Sequence, residues 1–241
     1  MDPVDAARSS ATAVVELPSR FMMDPATYTK GGNLGFNGAD FYIAGRGGAL
    51  GEVDGTVVAA AFVFFNPESV CEAWERSAPV APRRKAAEAF AEAAHEWADR
   101  KLPAEGIDYP RLAELAGKAC DAASVSAAPL FAGWRALPEP SDPRALALHR
   151  MNGLRELRGA YHGAAVLAVG LTPLQAVLYR TPHMVGIFGW GEGAGAAGEK
   201  GYWDEAEAIT NRMFAVPLEG LSDAERSQFV ELARAALEQS A

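Results

Sequence analysis

The stretch "DPRALALHRMNGLRELRGAYHGAAVLAVGLTPLQAVLYRTP", residues 142–182, decides the fold because its apolar side chains recur at three- and four-residue spacing. This period is typical of amphipathic helices. Proline and glycine divide the stretch into predicted helices at 142–157, 160–169 and 172–182. Gly159 is the residue that we expect to separate the first two helices.

The same spacing recurs elsewhere from Lys85 onward, and few strands are predicted anywhere. Further helices are predicted at 84–101, 109–122, 203–214 and 222–239. Ser222 and Glu225 have the spacing of a capping box, and Thr172–Pro173 supplies a cap and a first-turn proline. The sequence therefore predicts a mainly α helical bundle.

The first third of the chain is harder to assign, because "KGGNLGFNGADFYIAGRGGALGEVDG" (30–55) is rich in glycine and weakens any helical prediction. We expect an irregular N-terminal third. The apolar run Val57–Phe65 fits a buried helix or a buried strand. The proline-rich segment 137–143 is the best linker candidate. It divides an N-terminal helical region (1–136) from a C-terminal one (142–241), and we expect the two to form one compact unit.

Composition and net charge limit which binding partners and which cellular compartment the sequence predicts. The formal charge is −9 and the isoelectric point is near 5.0, so the average field repels nucleic acid and anionic membranes. Two cysteines make no disulfide framework. No secretory signal and no membrane-spanning run is evident. We therefore expect a cytoplasmic protein with no nucleic-acid or membrane partner.

Side chains suited to catalysis or ligand binding are concentrated in "HRMNGLRELRGAYHG", residues 149–163. On a helix, His149 and Glu156 share one face, whereas Arg155, Arg158 and His162 share another. A break at Gly159 would bring the two sets to one cavity. Imidazole and carboxylate together can transfer protons, and a guanidinium can hold an anion. Two alternatives remain open: ion pairs between helices, and a zinc or non-haem iron site formed by His149, Glu156 and His162.

Arg46 is surrounded by small and apolar residues in "YIAGRGGALG" (42–51), which would bury its stem. A buried arginine must be paired, and Glu156 or a bound anion is the natural partner. The predicted catalytic residues are Glu156, His162 and His149. The predicted substrate-binding residues are Arg46, Arg158, Arg155, Tyr42, Tyr161 and Trp190. The sequence identifies no cofactor.

The glycine-rich stretch "GWGEGAGAAGEKGYW" (189–203) contains the pattern GxGxxG from Gly193 to Gly198. A dinucleotide site needs a strand before this pattern and a helix after it. The preceding "MVGIF" is too short to anchor such a unit. A mobile lid, an interface loop and a plain connector are the other interpretations.

Two stretches, "FYIAGRGGALGEVDGTVVAAAFVFFNPESVCEAW" (41–74) and "LHRMNGLRELRGAYHGAAVLAVGLTPLQAV" (148–177), resemble the SalK-like actinobacterial proteins, a family of helix-turn-helix type. The likeness covers about two-thirds of the chain. It rests on Tyr42, Arg46, Leu50–Gly51, Phe62, Pro67, His149, Arg155–Glu156, Arg158–Gly159 and His162. Two departures are Ala160, where the family has an acidic residue, and the neighbourhood of Ser19, where it has a histidine.

The resemblance implies an architecture more than a function. In this family a helix like Leu171–Val177 precedes further helices and a hairpin wing, whereas here the glycine-rich stretch takes the place of the wing. Three hypotheses follow. The first is a small-molecule-binding protein, an enzyme of antibiotic or other natural-product biosynthesis that forms a homodimer. The second is a helix-turn-helix transcriptional regulator. The third is a non-catalytic partner protein.

Overall fold

Helices follow one another along most of the chain that the computed structural model describes, residues 1–191 and 195–240. They are α1 (Pro3–Met23), α2 (Pro25–Asn33), α3 (Asp40–Gly47), α4 (Gly55–Phe62), α5 (Pro67–Ser77), α6 (Arg83–Lys101), α7 (Tyr109–Ala122), α8 (Pro129–Arg135), α9 (Pro143–Ala168), α10 (Pro173–Arg180), α11 (Lys200–Leu218) and α12 (Asp223–Gln239). No strand occurs within those residues. The predicted mainly α fold is confirmed.

Several helices start at a short polar residue followed by proline. Asp142 caps α9 by accepting from the backbone N–H groups of Arg144 and Ala145, and Pro143 takes the first helical position. The two predicted starts at Thr172 and Ser222 both carry a complete capping box. The same Asp–Pro signal starts α1 at Asp2, a helix that the sequence analysis did not identify.

Helix α9 runs unbroken from Pro143 to Ala168, so the predicted break at Gly159 is wrong. Glycine costs about 1 kcal/mol relative to alanine inside a helix. Burial of the apolar side chains on either side of it outweighs this cost, since Leu157 and Tyr161 both lie in the main core. Helices α1, α6, α7, α8 and α11 all pack against α9, which is therefore the central helix of the bundle.

The glycines of "YIAGRGGALG" permit close packing rather than irregular chain. A Cβ atom at Gly45 would lie 2.5 Å from Phe90, and one at Gly48 would lie 2.2 Å from the carbonyl oxygen of Arg83. Both contacts are with α6. Residues 42–51 therefore lie directly on that helix, and the N-terminal third is more regular than its composition suggests.

The apolar run Val57–Phe65 is helical as far as Phe62 and then ends in a strained turn. Val63 has φ 49° and ψ −64°, and the N–H of Phe64 donates to the carbonyl oxygen of Phe62 at 2.6 Å. This is a γ-turn in its rarer form, which a β-branched residue seldom adopts. The turn lies against α9, because a Cβ atom at Gly163 would approach Val63 to 2.9 Å.

Within the residues described above, no single helix is long and apolar enough to cross a membrane. Helices α9 and α10 pass such a test only as a pair, by length and composition, and they are bent by 109° at their junction.

Candidate functional site

Arg46 on α3 and Arg155 on α9 both bind the carboxylate of Glu156. The Nε and Nη2 atoms of Arg46 lie 2.8 Å from Oε1 and Oε2 of Glu156, respectively. The Nη1 atom of Arg155 also donates to Oε1, at 2.8 Å. The structure thus forms the ion pair that the sequence predicted for Arg46, and it adds a second guanidinium that the sequence had assigned to another face.

This group, which we call the Arg46 cluster (Arg46, Arg155, Glu156 and Tyr42), is largely buried. The side chains of Arg46, Arg155 and Glu156 are 11 %, 17 % and 2 % exposed. Burial opposes ionisation of Glu156, but Arg46 and Arg155 outweigh it and hold the pKa of this carboxyl below its usual value. Burial likewise opposes the charge on Arg46, and Glu156 more than compensates, so its pKa is raised. Glu156 and Arg46 are therefore both charged at neutral pH.

His162 and Arg158 belong to a different group, between α9 and α11. The hydroxyl of Thr210 donates to the carbonyl oxygen of Ala206 at 2.7 Å. It must therefore accept from Nδ1 of His162, which lies 3.0 Å away. This hydrogen bond sets the tautomer and leaves the lone pair of the imidazole on Nε2. The rings of Phe64 and Trp203 lie 5.6 Å and 5.0 Å from the imidazole.

Arg158 completes this second group. Its Nη2 atom donates to Glu207 at 2.8 Å and to Asn211 at 3.3 Å, and its buried Nε has no partner among the residues described. Burial lowers the pKa of His162 to about 4, even though Glu207 partly offsets the effect. Glu207 and Asn211 also line an open groove of about 410 Å³ between α1 and α11.

The structure does not bring Glu156 and His162 together. On an unbroken helix these side chains, six residues apart, point about 120° away from each other. Glu156 binds Arg46 and Arg155, whereas His162 binds Thr210 beside Glu207. The expected convergence of the two sets of side chains is therefore wrong, because the packing of α9 keeps Gly159 helical.

His149 lies apart from both the Arg46 cluster and the group around His162. Its Nδ1 is 3.1 Å from Nε2 of His95, and its ring packs on Trp134 at 5.1 Å. Burial and the nearby His95 lower its pKa to about 4. His95, on α6, is half-buried in this pair. The metal-site alternative needs His149, Glu156 and His162 in one place, and the structure holds them apart.

Two of the predicted substrate-binding residues, Tyr161 and Trp190, make their contacts within the fold. Tyr161 is buried in the main core. Trp190 donates from Nε1 to the carbonyl oxygen of Phe64 at 2.9 Å. The adjoining residues are also fixed, because the carbonyl oxygens of Phe188 and Gly189 accept from Asn66 and Ser69. These contacts tie the start of the glycine-rich stretch to the segment 64–69. Gly193 of the GxGxxG pattern lies outside the described residues.

The C-terminal end of α9 and the short helix α10 form a right-angled unit. Four residues, Val169–Thr172, join the two helices, whose axes are bent by 109°. Gly170 has φ 88°, a conformation that favours glycine. Apolar contacts among Val166, Leu171 and Ala176 hold the angle. Two helices at about 90–120° joined by a three- or four-residue turn are typical of a helix-turn-helix.

Comparison with known families agrees with this geometry. The sequence model of the helix-turn-helix family matches residues 7–241. The chain belongs to this family. Comparisons with curated proteins and with solved structures give no significant match.

Family membership overturns one expectation from the sequence. We expected no nucleic-acid partner on the ground of a −9 charge, and membership of a helix-turn-helix family contradicts that. Net charge is an average over the whole chain. It does not describe the local surface that a recognition helix presents.

Proposed function

We propose that this protein is a DNA-binding regulator of the helix-turn-helix family and that α10 is the helix that contacts DNA. The observation that carries the proposal is the 109° angle between α9 and α10 across a four-residue turn. In helix-turn-helix proteins the second helix enters the major groove and its first residues contact base edges. Thr172, which precedes α10, is exposed; its hydroxyl is held in the capping box with Gln175, so its methyl group is the part that suits contact with a base edge.

The charge near α10 limits how strongly this helix can bind DNA. Arg180, which ends the helix, is an exposed cation. Each phosphate contact contributes about 0.9 to the salt slope of binding to duplex DNA. Because the whole chain carries a charge of −9, we expect few phosphate contacts, a shallow salt slope and clear binding only at low salt.

Selection from a random duplex library at low salt, followed by fluorescence anisotropy over a salt series, tests this function. We expect an enriched motif and a salt slope that Arg180→Gln reduces by about 1. Lys101→Gln, which removes an exposed cation at the end of α6, is the matched control and should change nothing. Failure to enrich any motif, or equal effects of the two substitutions, would contradict the proposal.

Within the helix-turn-helix family, the residues at 41–74 and 148–177 support a place among SalK-like proteins. Enzymatic activity in natural-product biosynthesis stays a prediction from the sequence. Its proposed proton-transfer pair, Glu156 and His162, is not assembled, because the two side chains have separate partners.

A further inference from the structure

The Arg46 cluster carries one more positive charge than its carboxylate can balance. Two guanidinium groups share the single carboxylate of Glu156. Within the described residues, neither Arg46 nor Arg155 forms an ion pair with any other acidic group. Uncompensated charge is costly in a site so little exposed to water. A bound anion would restore neutrality.

The groups that remain free in this cluster are donors. Ser19 donates its hydroxyl proton to the carbonyl oxygen of Val15, so it only accepts from Nε of Arg155 at 3.2 Å. The hydroxyl of Tyr42 accepts from Nη1 of Arg46 at 3.4 Å. Its own proton, like the Nη2 protons of Arg155, has no acceptor among the described residues. These donors suit an anion and offer nothing to a cation.

The side chains of the cluster surround one carboxylate. Arg46 and Arg155 both contact Oε1 of Glu156, and the Tyr42 hydroxyl is within hydrogen-bond distance of Arg46. Aromatic rings hold the arrangement in place. Arg46 lies 4.4 Å from the centre of the Phe62 ring, and Tyr42 stacks on Phe65 at 5.5 Å. The side chains are thus fixed before any ligand arrives, which lowers the entropy lost on binding.

We propose that the Arg46 cluster is a binding site for a small organic carboxylate. The excess of one charge matches a monoanion, and the planar guanidinium of Arg155 matches the two oxygens of a carboxylate. The free N–H groups of Arg155 and the hydroxyl of Tyr42 bind the carboxylate, while Glu156 keeps both guanidinium groups in position. This site is independent of DNA binding, and the two assays succeed or fail separately.

Titration of the full-length protein with sodium benzoate and sodium acetate tests the site, with sodium chloride at equal ionic strength as reference. Thermal unfolding and calorimetry are the measurements. We expect both carboxylates to raise the midpoint saturably and beyond the effect of chloride. Sodium sulfate raises unfolding midpoints by exclusion from the protein surface, so its effect should not saturate and it should give no binding isotherm by calorimetry.

Three substitutions assign the binding to this cluster. Arg155→Gln and Tyr42→Phe should each weaken benzoate binding, by about tenfold or more for the arginine. Arg150→Gln is the control, because Arg150 lies on the same helix and is already paired with Glu139; it should leave binding unchanged. If Arg155→Gln does not fold, Tyr42→Phe decides alone. Carboxylate effects equal to those of chloride, or benzoate binding unchanged in the cluster variants, would overturn the proposal.

Discussion

Two buried histidines make the stability of this protein depend on pH. His162 and His149 both have a pKa of about 4, in each case chiefly because burial disfavours the charged ring. An unfolded histidine titrates near 6.5. Between those values the unfolded chain binds more protons than the native one, so stability falls as the pH is lowered from about 6.5 towards 4.

We expect each of these histidines to contribute up to about 1.4 kcal/mol of stability per pH unit within that window. The lowered pKa of Glu156 acts in the same direction at more acidic pH. Urea unfolding at pH 7 and pH 5 measures the difference. His162→Gln should reduce the loss at pH 5, because it removes one of the two buried rings. A stability that is flat from pH 7 to pH 5 would show that neither ring is buried in its neutral form.

At the level of single helices, α9 shows how packing overrides local propensity. A Cβ atom at Gly159 meets nothing within 4 Å, whereas one at Gly163 meets Val63 at 2.9 Å. Both glycines lie within the same helix. Gly159→Ala should therefore raise the free energy of unfolding by about 0.5–1 kcal/mol.

Gly163→Ala is the matched comparison. It should lower the free energy of unfolding, because Val63 is held in a strained turn and cannot easily move away. Chemical denaturation of the two variants measures both effects. If Gly159→Ala were destabilising, the helix would have to be interrupted at that residue, as the sequence analysis had expected.

The sequence predicted where helices begin and end better than it predicted which side chains contact one another. Helix α7 begins and ends at the predicted residues, 109 and 122, because its period, cap and end signals agree. Pairing of Arg46 with Glu156 followed from the need to neutralise a buried charge. The pairing of His95 with His149 was not predictable, because it depends on the distance and rotation between α6 and α9. Those are set by the whole core and leave no local signal.

At the scale of the whole molecule, helices of the N-terminal region pack against helices of the C-terminal region. Helix α1, from the N-terminal region, packs against α9, α11 and α12 of the C-terminal region, and α12 also packs against α7. One core cluster extends from Ala6 to Ala236. We propose that regions 1–136 and 142–241 form a single folding unit, since neither can bury its apolar surface without the other.

A single unfolding transition is the expected result at this scale, with far-UV circular dichroism and tryptophan fluorescence changing together. Phe229 on α12 is fully buried, and Phe229→Ala should cost about 3–5 kcal/mol. Trp74 and Trp97 lie in the N-terminal region. The packing around them should be lost in the same transition, even though the substitution is in the last helix. Val216→Ala, at a side chain 59 % exposed on α11, is the control and should leave the midpoint nearly unchanged. Two separate transitions, with only one of them shifted by Phe229→Ala, would mean that the C-terminal region folds as a domain of its own.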